Sequence, residues 1–576
     1  MREVPRYARR FFDPARRLFR IGEGALGGKA QGLLRAEEVL RDSAERLASP
    51  GLSLDVPSLV VLAGGFFATF VERNGLRELL EEEPSDRGIA EAFHRAAVPA
   101  EMVGDLRALA EEVRVPLAVR SSSVLEDALG QPFAGVYGTK MIPGNQPDAE
   151  SRFRSLLDAV KFVWASTFFA RARAYLDGTT HRGERETMAV LVQEVVGRSH
   201  GERFYPEISG VARSHNFYPT GGAAPEEGVL ALALGLGKTI VDGGACWSVS
   251  PARPRATPPF GSARQLVEAT QASFWAIRVG TQPPYDPMAE TEYLAAGDLA
   301  AAEADGALRY TASTYDPASD RVWPGLGRRG PRVLDFAPVL VHEELALVPM
   351  VRAVLAACAE RAGGPVEIEF AVALARDGPA RFGLLQVRPQ FVSSAVVEVG
   401  DGDLADPRAL VVSESTLGNG ECRLEDVVYV VPERFEAART PAIALEIEQL
   451  NRGLLAAGRR FLLIGFGRWG SADPWLGIPV RWDQISGARA MVEAGLPQMS
   501  PEPSQGSHFF HNLSSFDVLY LTVPGGGRGA VAWAGLAALP AVAETEHVRH
   551  VRSPRPLRVA VDGRRRHGVV APLETR

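Results

Sequence analysis

The chain has 576 residues, 46% of them hydrophobic, and its 63 Lys and Arg against 70 Asp and Glu leave a net charge of −7. That length predicts two or three globular units, and the hydrophobic fraction is enough to fill more than one core. The negative balance excludes an overall positive field. We therefore expect neither nucleic acid nor a membrane surface as a partner, and any anion site must be local.

Cysteine usage and the N-terminus bear on the compartment. The three cysteines are widely spaced and form no CxxC pair, which argues against a disulfide framework or a structural zinc site. The arginine-rich N-terminus is not followed by an apolar run of signal-peptide type, and an organelle transit peptide is the weaker alternative. The most apolar window, 56–71, is interrupted by Pro57, Gly64 and Gly65 and falls short of a membrane span. We expect a soluble cytoplasmic protein.

A glycine-rich turn precedes the first predicted helix. Residues 22–29 read Gly-Glu-Gly-Ala-Leu-Gly-Gly-Lys, and apolar side chains recur at helical spacing through 27–47. Such a turn ending in Lys29 suits a polyphosphate, because the backbone can approach closely and both the N–H groups and the lysine face the anion. An ordinary glycine turn with a solvated lysine is the alternative, since this is not a Walker A sequence.

Short apolar strands follow, with helical stretches between them, at 59–62, 117–119, 189–192 and 229–234. This alternation predicts an α/β or α+β organisation. Arg120 and three serines follow the second strand, a placement that delivers a guanidinium and hydroxyl donors to phosphate oxygens. Pairing of Arg120 with a surface carboxylate is the simpler alternative. The next segment, 133–139, contains small residues that would let a loop close over a nucleotide.

A β-hairpin is predicted at 366–374 and 382–387, which flank the turn signal Arg-Asp-Gly-Pro at 376–379. Alternation along the strands gives each one a polar and an apolar face. The polar faces carry Glu367, Glu369, Gln386 and Arg388. The apolar faces carry Ile368, Phe370, Leu385 and Val387.

The polar faces of this hairpin suit phosphate chemistry. A carboxylate and an amide oxygen that converge from paired strands can hold Mg²⁺ against phosphates, while an adjacent arginine neutralises the transferring group. A weak cross-strand salt bridge between glutamate and arginine is the alternative.

The composition changes after the hairpin. Residues 396–410 are predicted to be a linker, because the stretch 398–406 is rich in Gly and Asp. A second unit then begins near residue 411. It contains a predicted helix at 442–455, a strand at 461–464 and a terminal hairpin within 557–570.

Unusual residues are dense within this second unit. Glycines surround Arg468 and Trp469 in 465–470, which suits an anion or a planar group, although a tight structural turn with a buried tryptophan is the alternative. His508 and His511, at i and i+3, could accept a phosphoryl group or bind a metal, although capping or hydrogen-bonded histidines are the more ordinary interpretation. His547 and His550 share that spacing, and we predict that they lie on a solvated face.

Seven motifs occur in one order along residues 20 to 393. They are Gly27-Gly28-Lys29, Val119-Arg120-Ser121-Ser122, Phe133-Ala134-Gly135, Val163-Trp164-Ala165-Ser166, Met188-Ala189-Val190-Leu191-Val192-Gln193, Gly235-Leu236-Gly237, and Ile368-Glu369-Phe370 with Leu385-Gln386-Val387-Arg388-Pro389. In this order they resemble the ATP-grasp domain of the phosphoenolpyruvate synthase, pyruvate phosphate dikinase and rifampin phosphotransferase group.

The resemblance implies a two-lobed ATP-grasp domain at 1–395, with lobes of about 1–185 and 186–395. A smaller α/β domain would follow at 411–576, and a degenerate swivelling domain is one interpretation of it. By the same resemblance Lys29 and Arg120 contact ATP phosphates, and Gln193 lies by the adenine. Gly135 and Thr139 would line the loop over the nucleotide.

The resemblance further implies that Glu369 and Gln386 bind the metal ion, with Arg388 contacting the transferred phosphoryl group. One departure is Lys238, because the family commonly has Glu after Gly-Leu-Gly. That substitution puts the local charge of this loop in question.

The resemblance implies an ATP- and Mg²⁺-dependent phosphotransferase of dikinase type. Full dikinases and synthases carry a Thr-Ser-His motif that none of the ten histidines of this chain matches, so we do not expect a complete phosphoenolpyruvate synthase. The acceptor would be a small molecule or a protein, with a separate carrier or catalytic subunit as a further option. Arg468, His508 or His511 would take part if the C-terminal domain is catalytic.

Two alternatives remain open. One is a regulatory module that binds ATP without turnover of its own. The other is an ATP-grasp ligase, which would release ADP.

Overall fold

The computed structural model describes residues 4–13, 16–82, 84–123, 135–177, 187–217, 223–256, 262–375, 377–390, 397–471, 475–496, 518–525 and 529–573, with only the backbone of 174–177. Within these ranges, no helix is both long and apolar enough to cross a membrane.

Strands and helices alternate through the first two thirds of the chain. The strands are β1 (Leu18–Ile21), β2 (Leu52–Asp55), β3 (Leu59–Leu62), β4 (Leu117–Ser123), β5 (Thr139–Ile142), β6 (Met188–Glu194), β7 (Arg198–His200), β8 (Arg203–Tyr205), β9 (Ile208–Arg213), β10 (Val229–Ala233), β11 (Trp247–Val249), β12 (Ser273–Arg278), β13 (Leu294–Asp298), β14 (Ser313–Asp316), β15 (Arg321–Trp323), β16 (Arg332–Val333), β17 (Val366–Ala373) and β18 (Ala380–Pro389). The helices are α1 (Gly27–Asp42), α2 (Ala44–Leu47), α3 (Gly65–Arg73), α4 (Leu76–Glu81), α5 (Asp86–Arg95), α6 (Ala100–Glu112), α7 (Ala149–Ser166), α8 (Ala170–Asp177), α9 (Lys238–Val241), α10 (Ala263–Ala269), α11 (Leu299–Ala304), α12 (Ala337–Leu340) and α13 (Leu347–Ala362).

Two sheets carry the candidate site. The first has the order β1-β3-β6-β4-β5, and the second has the order β11-β10-β9-β17-β18-β2. β6 runs antiparallel to both of its neighbours, β3 and β4. Smaller sheets have the orders β13-β12-β8-β7 and β15-β14-β16.

The first sheet is covered on both faces. Along β3, Leu59 and Val61 pack into the core shared with α1, α13 and the second sheet, whereas Val60 and Leu62 pack into the core under α3 to α7. Strict alternation between two cores explains why this strand reads as a continuous apolar run.

Helix α1 packs against β18, β4 and α13. Its buried side chains recur every three residues at Ala30, Leu33, Ala36 and Val39, which form one apolar stripe along the helix. The predicted helix at 27–47 is therefore confirmed, with an interruption at Ser43 between α1 and α2.

The last third of the chain builds a separate sheet. Its strands are β19 (Val411–Ser413), β20 (Ser415–Leu417), β21 (Gly420–Val430), β22 (Phe461–Phe466), β23 (Arg468–Trp469), β24 (Gly477–Ile478), β25 (Ala488–Ala494), β26 (Leu519–Val523), β27 (Ala530–Val531), β28 (Ala541–Glu544), β29 (Val548–Asp562) and β30 (His567–Pro572). The helices are α14 (Asp401–Leu404), α15 (Thr440–Ala456), α16 (Trp482–Ile485) and α17 (Trp533–Ala537).

This sheet has the order β20-β26-β25-β22-β21-β29-β30-β19-β27, with β28 paired to β29, while β23 and β24 pair separately. β21, β22, β25 and β26 run parallel to one another. The stretch 397–410 lies against it, since Val399 is fully buried with Ala560, Val569 and Ala571. The proposed domain limits themselves stay a prediction.

The predicted fold class is confirmed as a mixed α/β structure. The predicted strands at 59–62, 117–119, 189–192, 229–234 and 461–464 and the helix at 442–455 all form, with small differences at their ends. Both predicted hairpins also form, as β17 with β18 and β29 with β30.

Candidate active site

A cavity of about 260 Å³ lies where the first sheet, the second sheet and the start of α1 meet. It brings together all eight side chains or loop residues that the sequence singled out for nucleotide and metal. These are Lys29, Arg120, Gly135, Thr139, Gln193, Glu369, Gln386 and Arg388. They come from six separate stretches of the chain, so the fold assembles the group.

The start of α1 is fastened to β4. Gly27 has a φ of +77°, and a Cβ on it would lie 1.8 Å from the carbonyl oxygen of Ser122, so only glycine fits. Ser122 Oγ donates to the carbonyl oxygen of Leu26 at 2.8 Å and accepts from the N–H of Ala30 at 3.1 Å. The predicted glycine turn thus directs the first turn of the helix at the cavity.

Lys29 lies in that first turn. Its Nζ donates to the carbonyl oxygen of Ser121 at 3.2 Å and lies 3.1 Å from Ser121 Oγ. These contacts hold the ammonium group of Lys29 beside β4, at Ser121, which directly follows Arg120.

Arg120 joins the two sheets. Its Nη2 donates to Gln386 Oε1 at 2.7 Å and forms an ion pair with Glu369 Oε2 at 3.5 Å. Its Nη1 reaches the carbonyl oxygen of Leu385 at 3.4 Å and Gln193 Oε1 at 3.5 Å. The guanidinium therefore lines the cavity between the two sheets, and its carboxylate partner, Glu369, is largely buried.

The hairpin places its polar residues as predicted. Glu367 pairs with Arg388 and Glu369 with Gln386 across β17 and β18. The prediction for Leu385 is wrong, because the register shifts between Glu369 and Phe370 and leaves Leu385 as an extra residue in a β-bulge. Leu384 pairs with Phe370 instead, and Leu385 lines the cavity.

Glu367 positions Arg388. Arg388 Nε donates to Glu367 Oε1 at 2.6 Å, and Arg213 Nε donates to Glu367 Oε2. Glu367 is 1% exposed and both arginines are nearly as buried, so this is a desolvated network and not a surface salt bridge. A carboxylate held between two guanidiniums fixes the orientation of Arg388 toward the cavity.

Gln193 offers a donor without a partner. It is 2% exposed, its Oε1 accepts from Arg120, and its Nε2 has no hydrogen-bond partner among the described residues. A buried amide donor left unpaired costs free energy unless a ligand satisfies it.

Several residues of this cavity were not predicted to contribute to the site. Arg171 and Glu290 line it although no motif marks them, and Tyr137, within the predicted 133–139 loop, lines it as well. Lys238, which the sequence flagged as a departure, also lines the cavity, and its Nζ pairs with Asp242 Oδ2 at 2.7 Å. The positive charge of Lys238 is thus balanced by the residue that directly follows its own helix, α9.

Of the other predicted site residues, the one that the structure describes does not line this cavity. Arg468 lies in β23, in the last third of the chain. His508 and His511 lie outside the residues that the structure describes.

The prediction of a solvated face for His547 and His550 is wrong, because each is 5% exposed. His547 Nδ1 lies 2.7 Å from Glu446 Oε1, and His550 Nε2 lies 2.8 Å from Asp426 Oδ1. Glu446, Glu546 and His547 place ligand atoms within 4.8 Å of one another. The hydrogen bond between Glu446 and His547 accounts for this grouping.

Comparison with known proteins identifies the family. Residues 23–400 match the family described as pyruvate phosphate dikinase, AMP/ATP-binding domain. A Bacillus subtilis (strain 168) protein named "Uncharacterized phosphotransferase YvkC" is 30% identical over 190 residues. That match covers 33% of this chain and only 20% of the relative's own length. The predicted resemblance is confirmed, and the chain belongs to the pyruvate phosphate dikinase AMP/ATP-binding domain family.

Proposed function

We propose that this chain is an ATP- and Mg²⁺-dependent phosphotransferase of dikinase type. The observation that carries the proposal is the convergence of three cationic side chains, Lys29, Arg120 and Arg388, with two oxygen donors in one cavity. Family membership supports nucleotide binding there, and the charge distribution supports a polyphosphate.

The cationic side chains would hold the phosphates. Lys29 lies in the first turn of α1, where backbone N–H groups and the helix dipole also favour an anion. Arg120 and Arg388 are largely withdrawn from water, so their contacts to phosphate would be stronger than on an open surface.

Glu369 and Gln386 fit a magnesium site. Both contact one atom, Arg120 Nη2, so the two oxygens lie close together beside the proposed phosphate-binding residues. Carboxylate and amide oxygens are ligands that Mg²⁺ accepts, and the ion would neutralise charge on the phosphates. Glu369 and Gln386 would hold it, while Arg388 would orient the phosphoryl group.

We place the adenine base of the nucleotide next to Gln193. Its unpaired Nε2 supplies the donor that a ring nitrogen of adenine would accept, and its amide is already oriented by Arg120. Gly135 and Thr139 line the same cavity and would lie along the nucleotide.

In the proposed reaction, ATP gives AMP, inorganic phosphate and a phosphorylated acceptor. The β-phosphoryl group leaves AMP for the acceptor oxygen or nitrogen, whose proton is released, and water takes up the γ-phosphoryl group. The acceptor is a small molecule or a protein, and a separate carrier subunit would serve the second case. No complete phosphoenolpyruvate synthesis is proposed.

The test is the identity of the nucleotide product. Purified chain is incubated with ATP, Mg²⁺ and fractionated metabolite pools, and the nucleotides are resolved by ion-exchange chromatography. The proposal predicts AMP in amounts that match the phosphate released. ADP alone would favour a ligase, and ATP binding without any turnover would favour a regulatory module.

A further inference from the structure

The carboxyl ends of three parallel strands meet at one edge of the C-terminal sheet. Gly465 of β22 pairs with Glu493 of β25, which in turn pairs with Thr522 of β26. The three residues therefore lie side by side, one position before the strands end. Ligands of parallel α/β sheets bind beyond this kind of edge, where strand ends and following loops leave a crevice.

A buried carboxylate lies in the middle of this row. Glu493 is 4% exposed, and its Oε2 accepts from Tyr520 Oη. It forms no ion pair with any residue that the structure describes. Burial raises the pKa of Glu493 to about 7, and Tyr520 and Arg468, the two groups that act on it, both lower it. Such a carboxyl is unusual for a residue with only a structural role.

Polar atoms beside Glu493 lack partners. Arg468 Nε and Thr522 Oγ1 are buried and have no hydrogen-bond partner among the described residues. Buried donors are nearly always satisfied, so two unsatisfied groups flanking one carboxyl point to a ligand with acceptor atoms.

The turn that carries Arg468 is fixed in place. Trp469 Nε1 donates to the carbonyl oxygen of Val492 at 3.1 Å, which ties the turn to the strand of Glu493. The Trp469 ring lies over Gly465, where a Cβ would approach it to 2.5 Å. The turn that carries Arg468 is therefore attached to the edge through Trp469.

We propose that this edge binds a small molecule through a carboxylate or phosphate group held by Arg468, with Thr522 and Glu493 completing the site. A neutral Glu493 would keep its proton and donate a hydrogen bond to the oxyanion. An anion bound there disfavours the carboxylate form, so binding above neutral pH is coupled to proton uptake.

Packing contacts connect this edge of the C-terminal sheet with the nucleotide cavity. Shortly after Arg468, α16 packs against α8, and its Trp482 contacts the cores of both parts of the chain. α8 carries Arg171, which lines the nucleotide cavity. Arg171 also interacts electrostatically with Asp483 and Arg481. We take the bound molecule to be the phosphoryl acceptor. This identification rests on the proposed function, whereas the binding itself does not.

Isothermal titration calorimetry of the full chain tests the binding. A non-hydrolysable ATP analogue first fills the nucleotide cavity, and inorganic phosphate or acetate is then titrated in separate experiments. We expect one of the two to bind, with affinity reduced by roughly tenfold or more in Arg468→Ala. Binding of phosphate alone identifies a phosphate ligand, and binding of acetate alone identifies a carboxylate ligand.

Three further variants make the result specific. Arg468→Lys keeps the charge and is expected to retain intermediate affinity, while Arg423→Ala, which removes an exposed arginine of the same sheet, is expected to bind like the wild type. Glu493→Gln is expected to bind the anion but to lose the proton uptake seen in buffers of different ionisation enthalpy. Equal anion affinity in wild type and Arg468→Ala, or no binding of either anion at about 10 mM, would overturn the proposal even if ATP turnover is normal.

Discussion

Arg120 Nη2 lies 2.7 Å from Gln386 Oε1 and 3.5 Å from Glu369 Oε2, so one guanidinium from the first sheet contacts both oxygen donors of the hairpin in the second. The residues that we propose to bind phosphate and metal are therefore one connected unit. Loss of any of the three side chains should affect both nucleotide affinity and the dependence of turnover on the metal ion.

Glu369→Ala and Gln386→Ala are expected to remove magnesium-dependent turnover while the fold stays intact. Each variant deletes one of the two oxygen donors that complete a site otherwise made by phosphates and water. The measurement is ATP turnover against Mg²⁺ concentration, with circular dichroism as the check on folding. Glu360→Ala, whose carboxylate is 75% exposed on α13, serves as the matched control. Turnover at the wild-type rate in both site variants would refute the assignment.

Lys29→Ala and Arg120→Ala are expected to weaken ATP binding or slow transfer by roughly ten- to a thousandfold, because each removes a charge-assisted contact in a sheltered cleft. ATP titration and steady-state kinetics measure the two effects separately. Arg46→Ala is the control, since its side chain is 51% exposed and, among the described residues, pairs only with Glu360. If both site variants behave like this control, Lys29 and Arg120 are ordinary structural charges.

Gly27→Ala is expected to lower the free energy of unfolding by about 1–3 kcal/mol more than Gly51→Ala does. Both glycines have nearly the same positive φ, +77° and +76°, so the backbone strain is matched. Only Gly27 lacks room, because its Cβ would meet Ser122, whereas nothing lies within 4 Å at Gly51. Urea unfolding measures the difference, and equal losses in the two variants would show that α1 is not fastened to β4 as described.

Glu493 is expected to make stability fall as pH rises from about 4.5 to about 7. Burial raises its pKa from an ordinary 4.5 to about 7, so the native state binds the proton that the unfolded chain has already lost. Stability then decreases with pH in that window, by about 3 kcal/mol in total. Urea unfolding at several pH values should show this decrease in the wild type and a smaller one in Glu493→Gln. The same dependence of unfolding free energy on pH in the wild type and in Glu493→Gln would mean that the pKa of Glu493 is not raised.

Local patterns predicted the polar faces of the hairpin. Strand alternation put Glu367 and Glu369 on one face of β17 and Gln386 and Arg388 on one face of β18. The structure adds the register, which pairs Glu369 with Gln386 and Glu367 with Arg388. The order of the motifs then identified the family and, through it, the eight residues that share the cavity. The bulge at Leu385 escaped prediction, since one extra residue leaves the alternation along the flanking stretches unchanged.

Long-range pairing could not be predicted. β6 inserts between β3 and β4, a position that no local pattern encodes. Arg171 and Glu290 reach the cavity from segments without a motif. His550 was predicted to be exposed because its neighbours are arginines, but β29 carries it against Asp426, more than a hundred residues away.

Tracing the two labelled phosphoryl groups of ATP tests the dikinase-type reaction most directly. The chain is incubated with Mg²⁺ and acceptor fractions, using ATP labelled at the β-phosphate in one sample and at the γ-phosphate in the other. The account predicts that β-label enters the phosphorylated acceptor, γ-label appears as inorganic phosphate, and AMP is released. Transfer of γ-label to the acceptor with β-label retained in ADP would contradict it.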